Sequence, residues 1–170
     1  NRWPDFLARR LQANPETAKI GVLNHGVGGN TVTSGGLGVP VSQRFEHDVL
    51  DPCGVKWVIV LEGVNDIGNS RNPNIADQVI AVYEQIIEKA HAKGVKIYGS
   101  PILPFMGSQY RNEEARQKIN NWIRTSGKFD AVIDLDATVS DPNDPTRLKA
   151  EYDSGDHLHL NPTGFQKMAE

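Results

Sequence analysis

The segment Lys56–Leu61 contains an unbroken apolar run, Trp-Val-Ile-Val-Leu, which limits the folds open to this chain. The run is far shorter than the roughly 18–20 apolar residues that a membrane span needs, and it suits one β-strand. A strand that is apolar on both faces is typical of a parallel sheet covered by helices on both sides. The sequence therefore predicts an interior strand here, buried on both faces.

Helical and strand patterns alternate along the rest of the chain. The clearest helix is Asn74–Lys93, where apolar residues recur every three or four positions until Gly94 ends the helix. Further helices are predicted over Pro4–Ala13, Val41–Leu50, Glu113–Thr125 and from Pro162 onward. Further strands are predicted over Lys19–Asn24, Val95–Ser100 and Ala131–Leu135. This order predicts one α/β domain over residues 1–170, built on a parallel sheet.

Composition excludes several classes of function. The net charge of −3 offers no basic surface for nucleic acid or anionic lipid, and no apolar run is long enough for a membrane span. The single cysteine, Cys53, rules out an internal disulfide and lies in a turn-like stretch, where a passive thiol is the expected role.

The glycine-rich cluster Asn24–Asn30 follows the first predicted strand, at the sheet edge where parallel α/β proteins bind ligands. Gly29 can bring a backbone N–H close to a ligand without side-chain obstruction. A phosphate-binding loop does not fit, because Thr31 stands where the last glycine of the G-x-G-x-x-G pattern belongs. A flexible turn remains the alternative.

The cluster Glu62–Asp66 follows the strongest predicted strand. The side-chain amide of Asn65 carries two N–H donors and no charge, which suits a developing oxyanion. The alternative is that Asn65 and Asp66 only cap or turn the chain.

The cluster Asp153–Asn161 precedes the last predicted helix. Asp156 stands three residues before His159, a spacing that lets the carboxylate accept the Nδ1 proton and leaves Nε2 as a base. Two alternatives stay open: a polar loop, and a metal site in which His157 and His159 bind an ion together with Asp153 or Asp156.

Taken in this order, the three clusters resemble the blocks of the SGNH hydrolases, also called the GDSL family. Gly29 matches the glycine of the second block, Asn65 the asparagine of the Gly-x-Asn-Asp block, and Asp156 and His159 the Asp-x-x-His block. Weaker matches are the helix after the first block and the segment after the fourth strand, at Asn1–Leu7 and Pro101–Pro104. The resemblance implies a three-layer flavodoxin-like (SGNH hydrolase) fold with a parallel sheet.

The first block of the family, Gly-Asp-Ser, has no counterpart in these residues, since no serine follows a Gly-Asp pair. The resemblance implies that the nucleophilic serine and the first strand lie upstream of Asn1, and that the domain is truncated at both ends. A separate N-terminal segment carrying that strand and serine is one expected partner, and an upstream piece of the same chain is another source.

For the intact parent, the resemblance implies a serine esterase acting through an acyl-enzyme. Asp156 and His159 would be catalytic, Gly29 and Asn65 would form the oxyanion hole, and neither a metal nor a cofactor is implied. The expected substrate is a small carboxylic ester, with carbohydrate acetyl esters favoured. The alternatives are an inactive flavodoxin-like binding module or fragment and, less favoured, a metal-dependent hydrolase. Activity of these residues alone stays open.

Other expectations concern the surroundings of the site. Secretion is favoured over a cytoplasmic location, and the oligomeric state is open. Three side chains lie in loops that are predicted on the substrate side of the domain, although solvated surface positions are favoured for them: Tyr110, Arg111 and Arg147. By periodicity, the tryptophans are expected in the core: Trp3, Trp57 and Trp122.

Overall fold

The computed structural model describes residues 2–170, so Asn1, the first residue of the weaker family match at Asn1–Leu7, lies outside the described residues. Packing divides the chain into two compact units. The first unit comprises the residues up to His25 with Leu103–Ser108 and Leu135–Glu170, and the second comprises Gly26–Ile102 and Gln109–Asp134. The single-domain prediction stays a prediction.

The second unit contains the parallel sheet and most of the predicted helices. In chain order its elements are α2 (Val41–Phe45), which continues as a π-helix (Glu46–Leu50), then β1 (Trp57–Val60), α3 (Val64–Ile67), α4 (Ile75–Ala92), β2 (Lys96–Gly99), α5 (Glu113–Thr125) and β3 (Ala131–Val132). Strands pair in the order β1-β2-β3, all parallel, with Val58 opposite Ile97 and Tyr98 opposite Ala131. The predicted parallel sheet is confirmed.

The core of the second unit is formed where α4 and α5 pack, and it includes an aromatic cluster. The ring centroids of Tyr83, Trp122 and Phe129 lie 5.9–6.2 Å apart in tilted and edge-on arrangements. Such geometries suit the ring quadrupoles and stabilise the unit beyond the burial of apolar area. Trp122, predicted in the core by its periodicity, is half-buried and packs against the buried rings of Tyr83 and Phe129.

Trp57 does not belong to the core. Its exposed fraction is 49%, and in β1 only Val60 is buried while Val58 and Ile59 are half-buried, so the prediction that this strand is buried on both faces is wrong. The register explains the difference, because Trp57 lies opposite Lys96, and both residues occupy the exposed end of their strands.

Two predicted strands differ from the structure. Lys19–Asn24 forms no strand and has no ladder partner among the described residues; a strand needs such a partner for its backbone N–H and C=O groups. Within residues 2–170, β1 itself pairs with β2 on one edge and with no strand on the other. The strand predicted over Ala131–Leu135 ends at Val132, because Leu135 begins helix α6.

The first unit combines short helices with an antiparallel hairpin. Its elements are α1 (Trp3–Ala13), α6 (Leu135–Val139), β4 (Ser140–Asp141), β5 (Asp144–Leu148) and α7 (Pro162–Met168). Helix α7 packs against α1 and α6, while β4 and β5 form an antiparallel hairpin. No helix within residues 2–170 is both long and apolar enough to cross a membrane.

The segment before α7 is closed by backbone hydrogen bonds. The N–H of Ser154 donates to the carbonyl of His159 at 3.0 Å, and the N–H of Asn161 donates to the carbonyl of Tyr152 at 2.8 Å. The side chain of Asn161 caps α7 by accepting from the N–H of Gly164 at 3.0 Å, and its amide donates to the carbonyl of Asp153 at 3.1 Å. These bonds shape residues 153–160 into a tight loop, named here the acid–histidine loop.

Candidate active site

Asp156 and His159 form a hydrogen-bonded pair in the acid–histidine loop. One oxygen of Asp156, Oδ2, lies 2.6 Å from Nδ1 of His159. The other, Oδ1, accepts the backbone N–H groups of Leu158 at 3.0 Å and His159 at 2.8 Å and the hydroxyl of Ser154 at 3.1 Å. This cradle fixes the carboxylate and, through it, the imidazole ring.

These contacts also decide which protonation state is favoured. Burial by itself raises the pKa of Asp156, but the hydrogen bonds from the backbone and ring of His159, from Leu158 and from Ser154 outweigh it and hold that pKa well below its usual value. An ionised carboxylate only accepts, so Nδ1 of His159 carries the proton. The side chain of His159 is 70% exposed, and its Nε2 has no partner among the described residues, which leaves that nitrogen able to act as a base.

Asp153 and His157 form a second pair of the same kind. Oδ2 of Asp153 lies 2.5 Å from Nδ1 of His157, while Oδ1 accepts the N–H groups of Gly155 at 2.8 Å and His157 at 3.0 Å. Burial raises the pKa of Asp153, but the hydrogen bonds from Gly155 and His157 lower that pKa by a larger amount. The pKa of Asp153 therefore lies below its usual value. His157 adopts a left-handed backbone conformation with a φ of 61°. Sequence analysis considered His157 only as a metal ligand and did not predict this pair.

The two pairs bear on the metal-site alternative. Among the described residues, no group of three or more His, Cys, Asp or Glu side chains is arranged to hold a metal ion. Each imidazole instead has its Nδ1 engaged by its own carboxylate. A carboxylate on Nδ1 orients the ring in catalytic histidines and in metal-bound histidines alike, so the pairing by itself is compatible with both roles.

Gly29 lies in the second unit, in a loop closed on itself. Its φ is +73°, and a side chain on it would collide with Leu37, whose Cδ1 would lie 2.8 Å from the added Cβ. The carbonyl of Gly29 accepts the N–H of Leu37 at 2.8 Å. The N–H of Gly29 has no acceptor within the described part of the chain and is therefore available to a ligand.

The buried side chain of Asn30 holds this loop in shape. Its Nδ2 donates to the carbonyls of Leu37 at 2.7 Å and Val39 at 2.9 Å. Its Oδ1 accepts Nε and Nη2 of Arg44, at 3.1 and 2.9 Å. Asn30 is fully buried, so each of these bonds satisfies a group that has no access to water.

Asn65 lies in the first turn of α3, directly after β1 and Gly63. Its Nδ2 donates to the carbonyl of Asn30 at 2.9 Å, and its Oδ1 accepts the hydroxyl of Tyr110 at 2.9 Å. The amide therefore contacts the residue next to Gly29, and one of its two N–H bonds has no acceptor among the described residues. The structure brings Asn65 to the loop that contains Gly29, and the role of both residues in an oxyanion hole stays a prediction.

Asp66 ties the same turn to the following part of the loop. Its carboxylate accepts the N–H of Val32 at 2.8 Å, the N–H of Thr33 at 2.9 Å and the hydroxyl of Thr33 at 2.7 Å. Asp66 therefore has the structural role that was the alternative for the Asn-Asp pair, which is to hold the chain in place. Asn65 instead keeps an unpaired donor.

Glu62 is a further acidic residue beside this turn. Burial raises the pKa of its carboxyl to about 7, with Arg44 opposing the rise and Asp66 adding to it. Its backbone carbonyl accepts the hydroxyl of Tyr83 at 2.7 Å. The burial of Glu62, the contact of Arg44 with Asn30 and the contact of Tyr110 with Asn65 were not predicted, because each depends on residues that are distant in the sequence.

Tyr110 departs most clearly from the prediction of a solvated surface residue. It is half-buried, and its ring packs against Gly68 so closely that a Cβ there would lie 2.5 Å from Cγ of the ring. The candidate residues thus fall into two groups, Gly29 with Asn65 in the second unit and Asp156 with His159 in the first. Their catalytic roles stay predictions.

The sequence model of the GDSL-like Lipase/Acylhydrolase family matches residues 1–167. No curated protein matches the chain in sequence.

Solved structures share the fold. A protein of the G-D-S-L family from Desulfitobacterium hafniense DCB-2 is 19% identical, with a TM-score of 0.78 over 99% of this chain and 84% of its own. The acetyl xylan esterase AlAXEase is 20% identical, with a TM-score of 0.77 over 99% of this chain and 87% of its own. A GDSL-like lipase from Bacteroides thetaiotaomicron VPI-5482 is 20% identical, with a TM-score of 0.61 over 75% and 64%. These similarities confirm the predicted flavodoxin-like SGNH fold.

Proposed function

Because this chain belongs to the GDSL-like lipase/acylhydrolase family, we propose that it is the main part of a serine esterase for small carboxylic esters. The observation that carries the proposal is the pair Asp156–His159, in which a cradled carboxylate holds Nδ1 and leaves Nε2 unpaired among the described residues. That arrangement is what a hydroxyl nucleophile needs from its general base.

The proposed reaction divides the work among four residues. His159 takes the proton of the attacking serine at Nε2 and returns it to the leaving alcohol. Asp156 orients the ring and stabilises the imidazolium that forms. The N–H of Gly29 and the remaining N–H of Asn65 donate to the oxyanion, each worth about 2.7–4 kcal/mol of transition-state stabilisation.

The nucleophile is the part of the proposal that lies beyond these residues. No serine of the chain follows a Gly-Asp pair, so we place the nucleophile on a segment upstream of Asn1, in the same chain or a separate piece. Such a segment would also bring a strand, and β1 has an edge that pairs with no strand within residues 2–170.

Acetylated carbohydrates are the proposed substrates. The support is the acetyl xylan esterase AlAXEase, whose fold matches over 99% of this chain. Because this relative is 20% identical, we use it to choose the first substrates to assay, and the assay decides which of them the protein hydrolyses.

The experiment uses the protein with its upstream segment and a pair of matched variants. Hydrolysis of p-nitrophenyl acetate and of acetylated xylo-oligosaccharides is measured for wild type, His159→Asn and His157→Asn. Asparagine tolerates the left-handed backbone of His157, so the second variant tests the ring and not the fold. We expect His159→Asn to lose about 10³-fold or more in kcat and His157→Asn to stay within roughly threefold.

Labelling with an organophosphate completes the test. We expect one adduct, on a serine upstream of Asn1, and loss of activity in proportion to labelling. Activity that resists the organophosphate and disappears on chelation would establish the metal-dependent hydrolase instead. A protein that has its upstream segment but neither hydrolyses esters nor reacts would be a binding module.

A further inference from the structure

The side-chain amide of Asn65 is held from both ends. We infer that Tyr110 is a positioning residue of the oxyanion hole, fixing this amide so that its remaining N–H is presented to the substrate; the inference rests on the function proposed above. Oδ1 of Asn65 accepts the Tyr110 hydroxyl at 2.9 Å, while Nδ2 donates to the carbonyl of Asn30 at 2.9 Å. The amide torsion of asparagine is broad by itself, so two opposed partners narrow it.

These two partners also decide which way the amide faces. Rotating the amide by half a turn would set Oδ1 of Asn65 against the carbonyl of Asn30, where two acceptors would meet. The hydroxyl of Tyr110, as donor, favours the observed orientation from the other end. A single partner would leave the second N–H free to swing away from the oxyanion.

Tyr110 is itself anchored on the helix that bears Asn65. Its ring lies against Gly68, the C-cap of α3, where an added Cβ would come within 2.5–2.6 Å of three ring atoms. The N–H of Arg111 donates to the carbonyl of Gly68 at 2.9 Å. The Tyr110 hydroxyl and the Asn65 amide are therefore both held by the same short helix, α3, which keeps the distance between them constant.

The hydrogen bond between the Tyr110 hydroxyl and Oδ1 of Asn65 also affects how strongly the remaining N–H of Asn65 donates to the oxyanion. When an oxyanion draws on the N–H of Asn65, the amide polarises and Oδ1 becomes a better acceptor for Tyr110. The Tyr110 bond is then stronger in the transition state than in the free enzyme, so its loss lowers kcat more than it raises KM. A residue that only packs against α3 would not produce this split.

The test is Tyr110→Phe in the protein with its upstream segment, because phenylalanine keeps the ring on Gly68 and removes the hydroxyl. We expect kcat for p-nitrophenyl acetate to fall about three- to tenfold, the range of one hydrogen bond, with KM within about twofold. Tyr98→Phe in β2 is the matched control, since its hydroxyl makes no hydrogen bond among the described residues, and it should leave kcat unchanged.

A double-mutant cycle separates the outcomes. Asn65→Ala should lower kcat about 10²–10³-fold, and Tyr110→Phe should have no further effect in that background. If Asn65→Ala has wild-type kcat, the proposed oxyanion role fails and this inference with it. If Asn65→Ala is impaired but Tyr110→Phe is not, or if the two effects multiply, only the inference is overturned.

The side-chain amide resonances of Asn65 give a readout that needs no activity. In wild type we expect two well-resolved ¹H–¹⁵N signals, and in Tyr110→Phe a change in their shifts and broadening from amide rotation. Identical spectra in the two proteins would refute the positioning role.

Discussion

The carboxyl of Glu62 should make the stability of this protein depend on pH near neutrality. The residue lies two positions after the end of β1, and among the described residues its side chain has no hydrogen-bond partner. Burial raises its pKa from 4.5 to about 7 despite the opposing charge of Arg44. Folding therefore favours the protonated form of Glu62.

The sign and size of the effect follow from that difference in pKa. Because the folded-state pKa lies above the unfolded one, the stabilisation is fully present below about pH 4.5 and is lost as the pH rises through about 7. At about 1.4 kcal/mol per pKa unit, the difference between 4.5 and about 7 amounts to about 3.5 kcal/mol in the free energy of unfolding.

Urea denaturation of wild type and Glu62→Gln, followed by tryptophan fluorescence between pH 5 and pH 8.5, measures this term. Glutamine mimics the protonated acid, so the free energy of unfolding of the variant relative to wild type should rise by about 2.5 kcal/mol across that range, since part of the loss is already complete at pH 5. Glu88→Gln, at an exposed position of α4, is the control and should stay parallel to wild type. Parallel curves for Glu62→Gln and wild type would refute the argument.

Two further substitutions test the carboxylates of the site. Asp66→Ala should lower the free energy of unfolding by about 3–5 kcal/mol in urea titrations, because it leaves the buried N–H of Val32 and its other donors without an acceptor. Asp77→Ala, at an exposed position of α4, is the control and should cost under about 1 kcal/mol. Equal losses in the two variants would contradict this reasoning. Asp156→Asn should lower kcat for p-nitrophenyl acetate by about 10³–10⁴-fold through the wrong imidazole tautomer, while Asp153→Asn should cost less than about tenfold; the reverse order would make His157 the base.

The helices could be predicted from the sequence because their signals are local. The amphipathic pattern of Glu113–Thr125 gives the observed bounds of α5, and Gly94 adopts a φ of +68° just after α4. Strands depend on partners that are distant in sequence. Lys19–Asn24 has the composition of a strand, but no neighbouring strand pairs with it among the described residues.

The same distinction separates the site residues. The geometry of Asp156 and His159 could be predicted because only three positions separate an acid from a ring in a tight loop. The contact of Asn65 with Tyr110 spans 45 positions, and the burial that shifts the pKa of Glu62 is a property of the whole unit. No short-range pattern encodes either one, so they could be found only in the folded structure.

The backbone frame of the Gly29 loop is independent of the side chains at its exposed rim. The side-chain amide of Asn30 donates to the backbone carbonyls of Leu37 and Val39, and the backbone N–H of Leu37 donates to the carbonyl of Gly29. These hydrogen bonds use backbone groups of Leu37 and Val39, so they do not depend on which side chains stand at the two positions. Both side chains are exposed, at 65% and 54%. Homologues can therefore exchange polar, aromatic or aliphatic residues at positions 37 and 39 while Gly29 keeps its place, which leaves the loop rim free to diversify under selection.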